Sequence, residues 1–356
     1  MPRPSTAIIN LNNLRHNCRY LKNLIKPSKI MTVMKANAYG HGAVQCASAI
    51  ENLVDGFSVA FPEEAIELRQ SGIIKPILVL EGFFDTTDLQ IVSYYKLDVV
   101  IHSFKQIDIL AKTKLTSKIN IWLKLDSGMC RLGFNPKDYH TAWNKLQKIS
   151  QVKKVILMSH FSTAGNADDN YYQKQITVFN SMHFNGETSF CNSAASINFN
   201  IKDTWKRIGL LLYGVSPFAK EHQITKYILP VMELKSAIIS IKTVAKGERV
   251  GYGGLVTTTK DTVVGVVAIG YADGYPICNN KNAAVIVHQQ QAPILGQVSM
   301  DMLTIDLSNI PQAKIGDQVI LWGKPLSVNK VAEYSGLIPW QILCNVNRVK
   351  ILYTTE

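Results

Sequence analysis

Between Ile30 and about Gly214, eight short apolar runs rich in β-branched residues alternate with stretches of helical periodicity, and nothing else in the chain limits its fold as strongly. The runs are Ile30–Ala36, Gly56–Ala60, Pro76–Leu80, Asp98–Ile101, Ile119–Leu125, Lys154–His160, Thr188–Cys191 and Trp205–Leu210. Strands alternating with helices form a parallel sheet covered by those helices, and eight repeats predict a TIM-type (β/α)8 barrel. Ordinary start signals punctuate the helices. Pro62 followed by Glu63 and Glu64 opens one, and Asn135-Pro136 opens another that runs toward Ile149. Leu11 to Ile25 reads as an additional amphipathic helix before the first barrel strand.

After about Tyr227 the texture changes. Alternating runs such as Ser236–Val244, Thr262–Ile269 and Ala283–Val287 are separated by Gly, Asn and Asp turns, which predicts a mainly-β domain. A length of 356 residues, 47% of them hydrophobic, supports two cores. The expected domains are 1–226, a barrel, and 227–356, the β domain. Met1 to Thr6 shows no apolar core with a cleavage site, and no apolar run approaches the ~18–20 residues that span a bilayer. A cytoplasmic protein without a membrane partner is therefore expected. Cys18, Cys46, Cys130, Cys191, Cys278 and Cys344 lie far apart, without a C-x-x-C pair or a histidine at metal-ligand spacing. Free thiols and no metal follow. The net charge of +12 invites a nucleic-acid reading. Against it, Lys145, Lys148, Lys153 and Lys154 are scattered along helical stretches with no aromatic-interleaved motif, as on a solvated face.

The segment Val33-Met34-Lys35-Ala36-Asn37-Ala38-Tyr39-Gly40-His41-Gly42 puts a lysine at the carboxyl end of the first barrel strand, on the face where such barrels keep their chemistry. An amine held away from water is a nucleophile toward an aldehyde. A lysine snorkelling from a strand end to solvent is an equal reading of that residue alone. The loops after the last two strands hold Asn192-Ser193 and Ile208-Gly209-Leu210, which offer a hydroxyl and backbone N–H groups where barrels bind phosphate. Each could be ordinary turn chemistry. An inward lysine and a phosphate site together point to pyridoxal 5'-phosphate.

Five motifs then carry a resemblance: the lysine segment, Asp126-Ser127-Gly128-Met129-Cys130-Arg131-Leu132-Gly133, Val250-Gly251-Tyr252-Gly253, Gly270-Tyr271-Ala272-Asp273-Gly274 and Met300-Asp301. Through them the chain resembles the alanine racemase family over nearly its whole length. The resemblance implies that Lys35 carries the cofactor as a Schiff base and acts on one face of alanine, while Tyr252 of a second subunit acts on the other. It implies a homodimer with shared active sites that supplies D-alanine for cell-wall peptidoglycan. Two bases on opposite faces account for racemisation, since each removes the proton that the other returns. A phenol ionises only near pH ~10 in water, and the family places His160 beside it; alone, His160 would read as a core histidine. Arg207 matches the arginine facing the pyridine nitrogen, which keeps that nitrogen unprotonated because a guanidinium only donates.

By the same resemblance Tyr39, Ser193, Gly209 and Leu210 contact the phosphate, Arg131 lies near the substrate carboxylate, and Lys124 occupies a position whose amine the family can carbamylate. Tyr271 and Met300 match partner-subunit residues at the substrate entrance and pocket; otherwise both would pass for core. Three positions depart from the family pattern. Ile208 stands where proline is frequent, Trp340 replaces a tyrosine that touches the phosphate and narrows the entrance, and the tail Cys344–Val349 is one residue shorter. Competing readings are a broader-specificity racemase, a decarboxylase of the same architecture, which Arg207 disfavours because decarboxylases place an acid there, and a non-catalytic cofactor-binding protein, which generally lacks the β domain.

Overall fold

The computed structural model describes residues 3–166, 168–278 and 280–355. Met1 and Glu356, the outer limits of the two expected domains, and Pro2 in the N-terminal segment lie outside them. The chain opens with strand β1 (Thr6–Asn10), then forms β2 (Lys29–Val33), β3 (Gly56–Val59), β4 (Ile77–Val79), β5 (Asp98–Ile101), β6 (Ile119–Lys124), β7 (Val152–Met158), β8 (Thr188–Ser189) and β9 (Trp205–Ile208). Strands β2 to β9 pair in parallel in the order β8-β7-β6-β5-β4-β3-β2-β9, so all eight predicted runs become strands of one nearly closed barrel.

The barrel closes between its end strands by side chains more than by a ladder. Asp203 accepts hydrogen bonds from the Phe190 and Cys191 amides at 2.6 Å each and from Thr188 Oγ1 at 3.1 Å, while the Arg207 amide donates to the Cys191 carbonyl at 3.0 Å. Inside, Met31, Leu78, Val100, Trp122, Ile156, Met158 and Trp205 form their own core cluster. The Trp122 and Trp205 rings lie 5.7 Å apart, and the Trp122 indole donates to Asp98 at the start of β5. Aromatic bulk thus fills the amino-terminal half, which leaves the carboxyl-terminal mouth for a site. The intervening residues, such as Ile30, Phe57, Val79 and Val99, face outward against the helices, as the period of two requires.

The predicted helices form at their signals. Pro62–Gln70 begins at its proline, with the Glu64 carboxylate accepting from the Ala60 amide at 2.7 Å. Asn135 caps Pro136–Gln147, which stops two residues short of Ile149, and Asn10 caps Leu11–Leu24.

The second half contains β10 (Met232–Val244), β11 (Arg249–Val250), β12 (Val256–Thr257), β13 (Thr262–Val267), β14 (Ala284–Val287), β15 (Gln290–Pro293), β16 (Leu303–Asp306), β17 (Gln318–Trp322) and β18 (Lys350–Thr354). It is the expected mainly-β domain. The 13-residue β10 is its spine and pairs with β1, β13 and β17. One strand departs from the expected grouping: β1 lies antiparallel to β10 and parallel to β18, so residues 6–10 sit in the second sheet and not in the barrel. Ala7 and Ile9 are buried while their neighbours are not, an alternation that suits one face of a sheet. Five residues, of which two are buried, are too short a run to announce a strand in the sequence.

The seam gives a direct test. Asp203→Ala strands two buried amides without acceptors, and unfolding free energy is expected to fall by roughly 3 kcal/mol, read as a lower urea midpoint with unchanged slope.

Candidate active site

A cavity of about 690 Å³ opens at the carboxyl ends of the barrel strands. Its walls bring together Lys35, Tyr39, Lys124, Arg131, His160, Ser193, Arg207, Gly209, Leu210 and Trp340. These ten expected site residues come from five barrel-strand ends, their loops and the C-terminal helix Pro339–Cys344. Tyr252, Tyr271 and Met300 are not among its walls. Tyr252 is 71% exposed and Met300 53% exposed, each on the β domain, and Tyr271 lines a separate pocket with Cys344.

Lys35 owes its position to unusual backbone. Ala36, Asn37, Ala38 and Tyr39 all have φ between 51° and 55°, a turn of left-handed helix without a glycine. Each such residue costs about 1–2 kcal/mol relative to the right-handed form, so the turn persists only because its surroundings hold it. Glu64, anchored on the Ala60 amide, extends its other oxygen to the Ala36 amide at 2.6 Å. Asn37 Oδ1 accepts from the Ala43 amide at 2.8 Å, and His41 Nδ1 lies 3.0 and 2.9 Å from the Ala38 and Tyr39 carbonyls. Tyr213 donates its hydroxyl to the Val33 carbonyl at 2.7 Å just upstream. At Gly40, where φ is +77°, a Cβ would lie 2.3 Å from the Leu343 carbonyl oxygen, so the C-terminal helix can approach only a glycine.

Across the cavity the Gly209 amide donates to Ser193 Oγ at 2.8 Å, and a Cβ on Gly209 would come 2.7 Å from Tyr39 Oη. Two hydroxyls and a bare glycine therefore form a small polar cradle that any larger residue would fill. Burial pushes the Tyr39 phenol well above its ordinary range, so it stays a neutral donor. Ile208, in place of proline, completes β9 in register with Thr32 and leaves the cradle intact.

Arg207 is buried and heavily bonded, donating to the Ser189 and Ser159 carbonyls at 2.9 and 2.7 Å and to His160 Nδ1 at 3.1 Å. Desolvation lowers its pKa to about 10, which leaves it charged at neutral pH. A guanidinium cannot accept, so His160 Nδ1 is the acceptor and its proton resides on Nε2. Burial, then the charges of Arg207, Lys124, Arg131 and Lys35, hold the imidazole well below its usual pKa and therefore neutral. Lys124 is also buried, and desolvation followed by Arg207 and Arg131 brings its pKa down to about 7. Asp126 accepts from the Gly128 and Cys130 amides at 2.9 and 3.0 Å and so shapes the loop carrying Arg131.

This donor set, with an amine, hydroxyls and guanidinium groups around a cavity of a few hundred Å³, fits an aldehyde cofactor bearing a phosphate. Models of the alanine racemase N-terminal and C-terminal domains match residues 9–217 and 231–353. A catabolic alanine racemase from Pseudomonas putida is 44% identical over 357 residues, covering 99% of this chain and 100% of that protein. The chain belongs to the alanine racemase family. The biosynthetic alanine racemase from Pseudomonas aeruginosa superposes with a TM-score of 0.94 at 37% identity, covering 99% of both chains. An alanine racemase from Bartonella henselae, solved with covalently bound pyridoxal phosphate, superposes at 0.89 with 26% identity, covering 99% of this chain and 100% of that one. Membership makes this chain an isomerase of the racemase class.

Some racemase residues that shape the cavity escaped the sequence reading. Glu64 was visible only as an acid opening a helix; that its second oxygen reaches the Ala36 amide depends on β2 and β3 being neighbours. Tyr213 and Asp203 carried no motif at all. Among the described residues there is no group of three or more His, Cys, Asp or Glu able to hold a metal ion, and no helix long and apolar enough to cross a membrane.

Lys124 gives the racemase cavity a signature in pH. Its folded pKa of about 7 lies below the ordinary 10.5, so between those values the unfolded chain holds a proton that the folded one does not. Its contribution to stability therefore increases as pH rises through that window and is weakest below pH 7. Relative to Lys124→Met, the wild-type unfolding free energy is expected to improve from pH 7 to pH 10 in denaturant titrations; a constant difference contradicts the buried amine.

Proposed function

We propose that this chain interconverts L-alanine and D-alanine with pyridoxal 5'-phosphate, using Lys35 on one face of the substrate and Tyr252 of a second copy on the other. One observation supports this reading most: the cavity gathers the amine, the cradle and a neutral His160 bonded to the charged Arg207, while the phenol from the Val250–Gly253 motif stands exposed on the β domain. When bound, the cofactor supplies the electron sink that makes the α-proton of alanine removable. Tyr39, Ser193, Gly209 and Leu210 would hold its phosphate, Lys35 its aldehyde carbon and Arg207 its pyridine nitrogen.

The protein groups then divide the work. Lys35 Nζ takes or returns the proton on its own side. Arg131 orients the substrate carboxylate, and a carbamate on Lys124 would place an anion facing Arg131. His160, with its proton on Nε2, can donate to the partner's Tyr252 and stabilise its phenolate, because the Arg207 bond to Nδ1 fixes the donating edge. Met300 and Tyr271 of the second copy would line the pocket and its entrance, and Trp340 narrows the cavity from its own chain. The functional division runs between residues 1–226 and 227–356, with Thr6–Asn10 lent to the second sheet. The reading is of a cytoplasmic enzyme; all six cysteines are unpaired, as reducing surroundings permit.

Shared sites make a clear prediction. Lys35→Ala and Tyr252→Phe homodimers should each lose racemase activity by at least about 10²-fold. Mixed and allowed to exchange, they should recover roughly a quarter of the wild-type rate, because random pairing gives one complete site in half of the dimers. Exchange without recovery, shown by tagged subunits, would place both bases in one chain. In deuterated water, Tyr252→Phe should still exchange the α-hydrogen of D-alanine through Lys35 while leaving that of L-alanine in place; equal exchange from both would mean a single base serving two faces.

The physiological direction is part of the proposal: D-alanine supply for cell-wall peptidoglycan. A deletion strain is expected to need D-alanine for growth. Normal growth without it, together with loss of growth on alanine as carbon source, would assign a catabolic role instead.

A further inference from the structure

His41 and Trp322 come from different domains, one directly after the left-handed turn and the other at the end of β17. Both are buried, at 0% and 1% exposure, and among the described residues His41 Nε2 and Trp322 Nε1 have no hydrogen-bond partner. Their chemistry is complementary. His41 Nδ1 lies within hydrogen-bond distance of two carbonyl oxygens, Ala38 and Tyr39, which only accept. Nδ1 therefore carries the ring proton and Nε2 presents a lone pair. The indole Nε1 can only donate.

The two residues that carry an acceptor lacking a donor and a donor lacking an acceptor line the same small cavity, together with Ser327 and Asn329. The cavity measures about 20 Å³, room for one water molecule and for little else. Buried polar atoms without partners are rare, and internal water is their usual partner. We propose that a single structural water occupies this cavity, donating to His41 Nε2 and accepting from Trp322 Nε1, and that it ties the Lys35 turn to the second sheet.

The bridge gives His41 a defined task. With its lone pair engaged by the water, the imidazole is kept in the Nδ1–H tautomer, and that proton holds the Ala38 and Tyr39 carbonyls in their left-handed geometry. Burial supports this by pushing the His41 pKa down to about 4, so the lone pair persists at neutral pH. The Tyr213 ring packs 4.5 Å from the imidazole, and its hydroxyl holds Val33, so ring and strand are fixed together. His41 acts here as a positioning residue, through the backbone of the turn, and the water site exists whether or not a cofactor is bound.

The site is tested on the intact protein by a crystal structure fine enough to resolve water. Electron density within about 3.2 Å of both nitrogens is expected; an empty cavity, or a side chain rotated to pair either nitrogen directly, overturns the proposal. Nitrogen-15 spectra of histidine-labelled protein should show His41 protonated at Nδ1 with Nε2 accepting, and the opposite tautomer contradicts the bridge. Trp322→Phe tests the coupling, since it removes the donor but keeps a ring beside Tyr275. In that variant the amides of residues 36–42 are expected to exchange with deuterium at least about fivefold faster while those of the barrel strands are unchanged. If the variant is folded and exchange at 36–42 stays at the wild-type rate, the water does not tie the turn. The same measurement on Ser327→Ala, which alters the cavity wall but keeps both rings, should show a smaller change than Trp322→Phe, and an equal change contradicts a bridge through the indole.

Discussion

Four consecutive left-handed residues behind Lys35 form the most strained stretch of backbone described in the molecule, and much of the surrounding structure bears on them. Strain of several kcal/mol there is comparable to the whole stability of many domains. It is offset by contacts from every side: Glu64 from the second barrel loop, Tyr213 from beyond the last barrel strand, His41 from within the segment and the Leu343 carbonyl against Gly40. Those partners occupy the right places only when the barrel has closed and the C-terminal helix has docked. The lysine amine is thus placed by the finished fold, not by its local sequence, which suits a group that must meet a reactant with little freedom to wander.

The second constraint is electrostatic. Lys35, Lys124, Arg131 and Arg207 surround one cavity, with Asp126 and Glu81 as the acids nearest Lys124. So much positive charge in a poorly solvated space is unfavourable by itself, and it shows at Lys124, where burial and then the charges of Arg207 and Arg131 lower the pKa, while at Arg207 burial alone does so. The site relieves the repulsion by giving up protons where it can, at Lys124 and His160, and by embedding Arg207 among carbonyl oxygens where it cannot. Anions entering such a space, a phosphate and a carboxylate on the present reading, are attracted by the whole cluster while each is oriented by a few hydrogen bonds.

Periodicity made the barrel legible because its strands are buried on both faces and its helices on one, and each pattern leaves its mark on neighbouring residues. All eight strand positions and the change to a β domain could be read in this way. The motif residues that line the cavity were also legible, since Lys35, Ser193 and Gly209 fall where strands end. What stayed hidden depends on contacts between distant segments. Strand β1 is five residues long and finds its partners at β10 and β18, more than 200 residues away. Glu64 announces a helix start, and only the adjacency of β2 and β3 turns it into a brace for Ala36. Trp322 reads as ordinary core, and its unmet indole is visible only once the opposite wall of its cavity is known.

A parallel barrel also limits what one chain can offer its substrate. All eight strands point their carboxyl ends the same way, so side chains from strand ends and their loops approach a bound molecule from the floor and walls of a single bowl. A group that must act from the open side has to come from another element. In this chain Tyr252 sits on a short turn framed by Gly251, Gly253 and Gly254, each at positive φ, where it is exposed and does not line the chain's own cavity. On the two-base reading, that exposed phenol serves the open side of a neighbouring bowl. The barrel then fixes one base rigidly from below, and the second sheet delivers the other from above. On that reading the inversion of a stereocentre would be set by the relation between two surfaces, because within one copy of the chain Tyr252 does not line the cavity that holds Lys35.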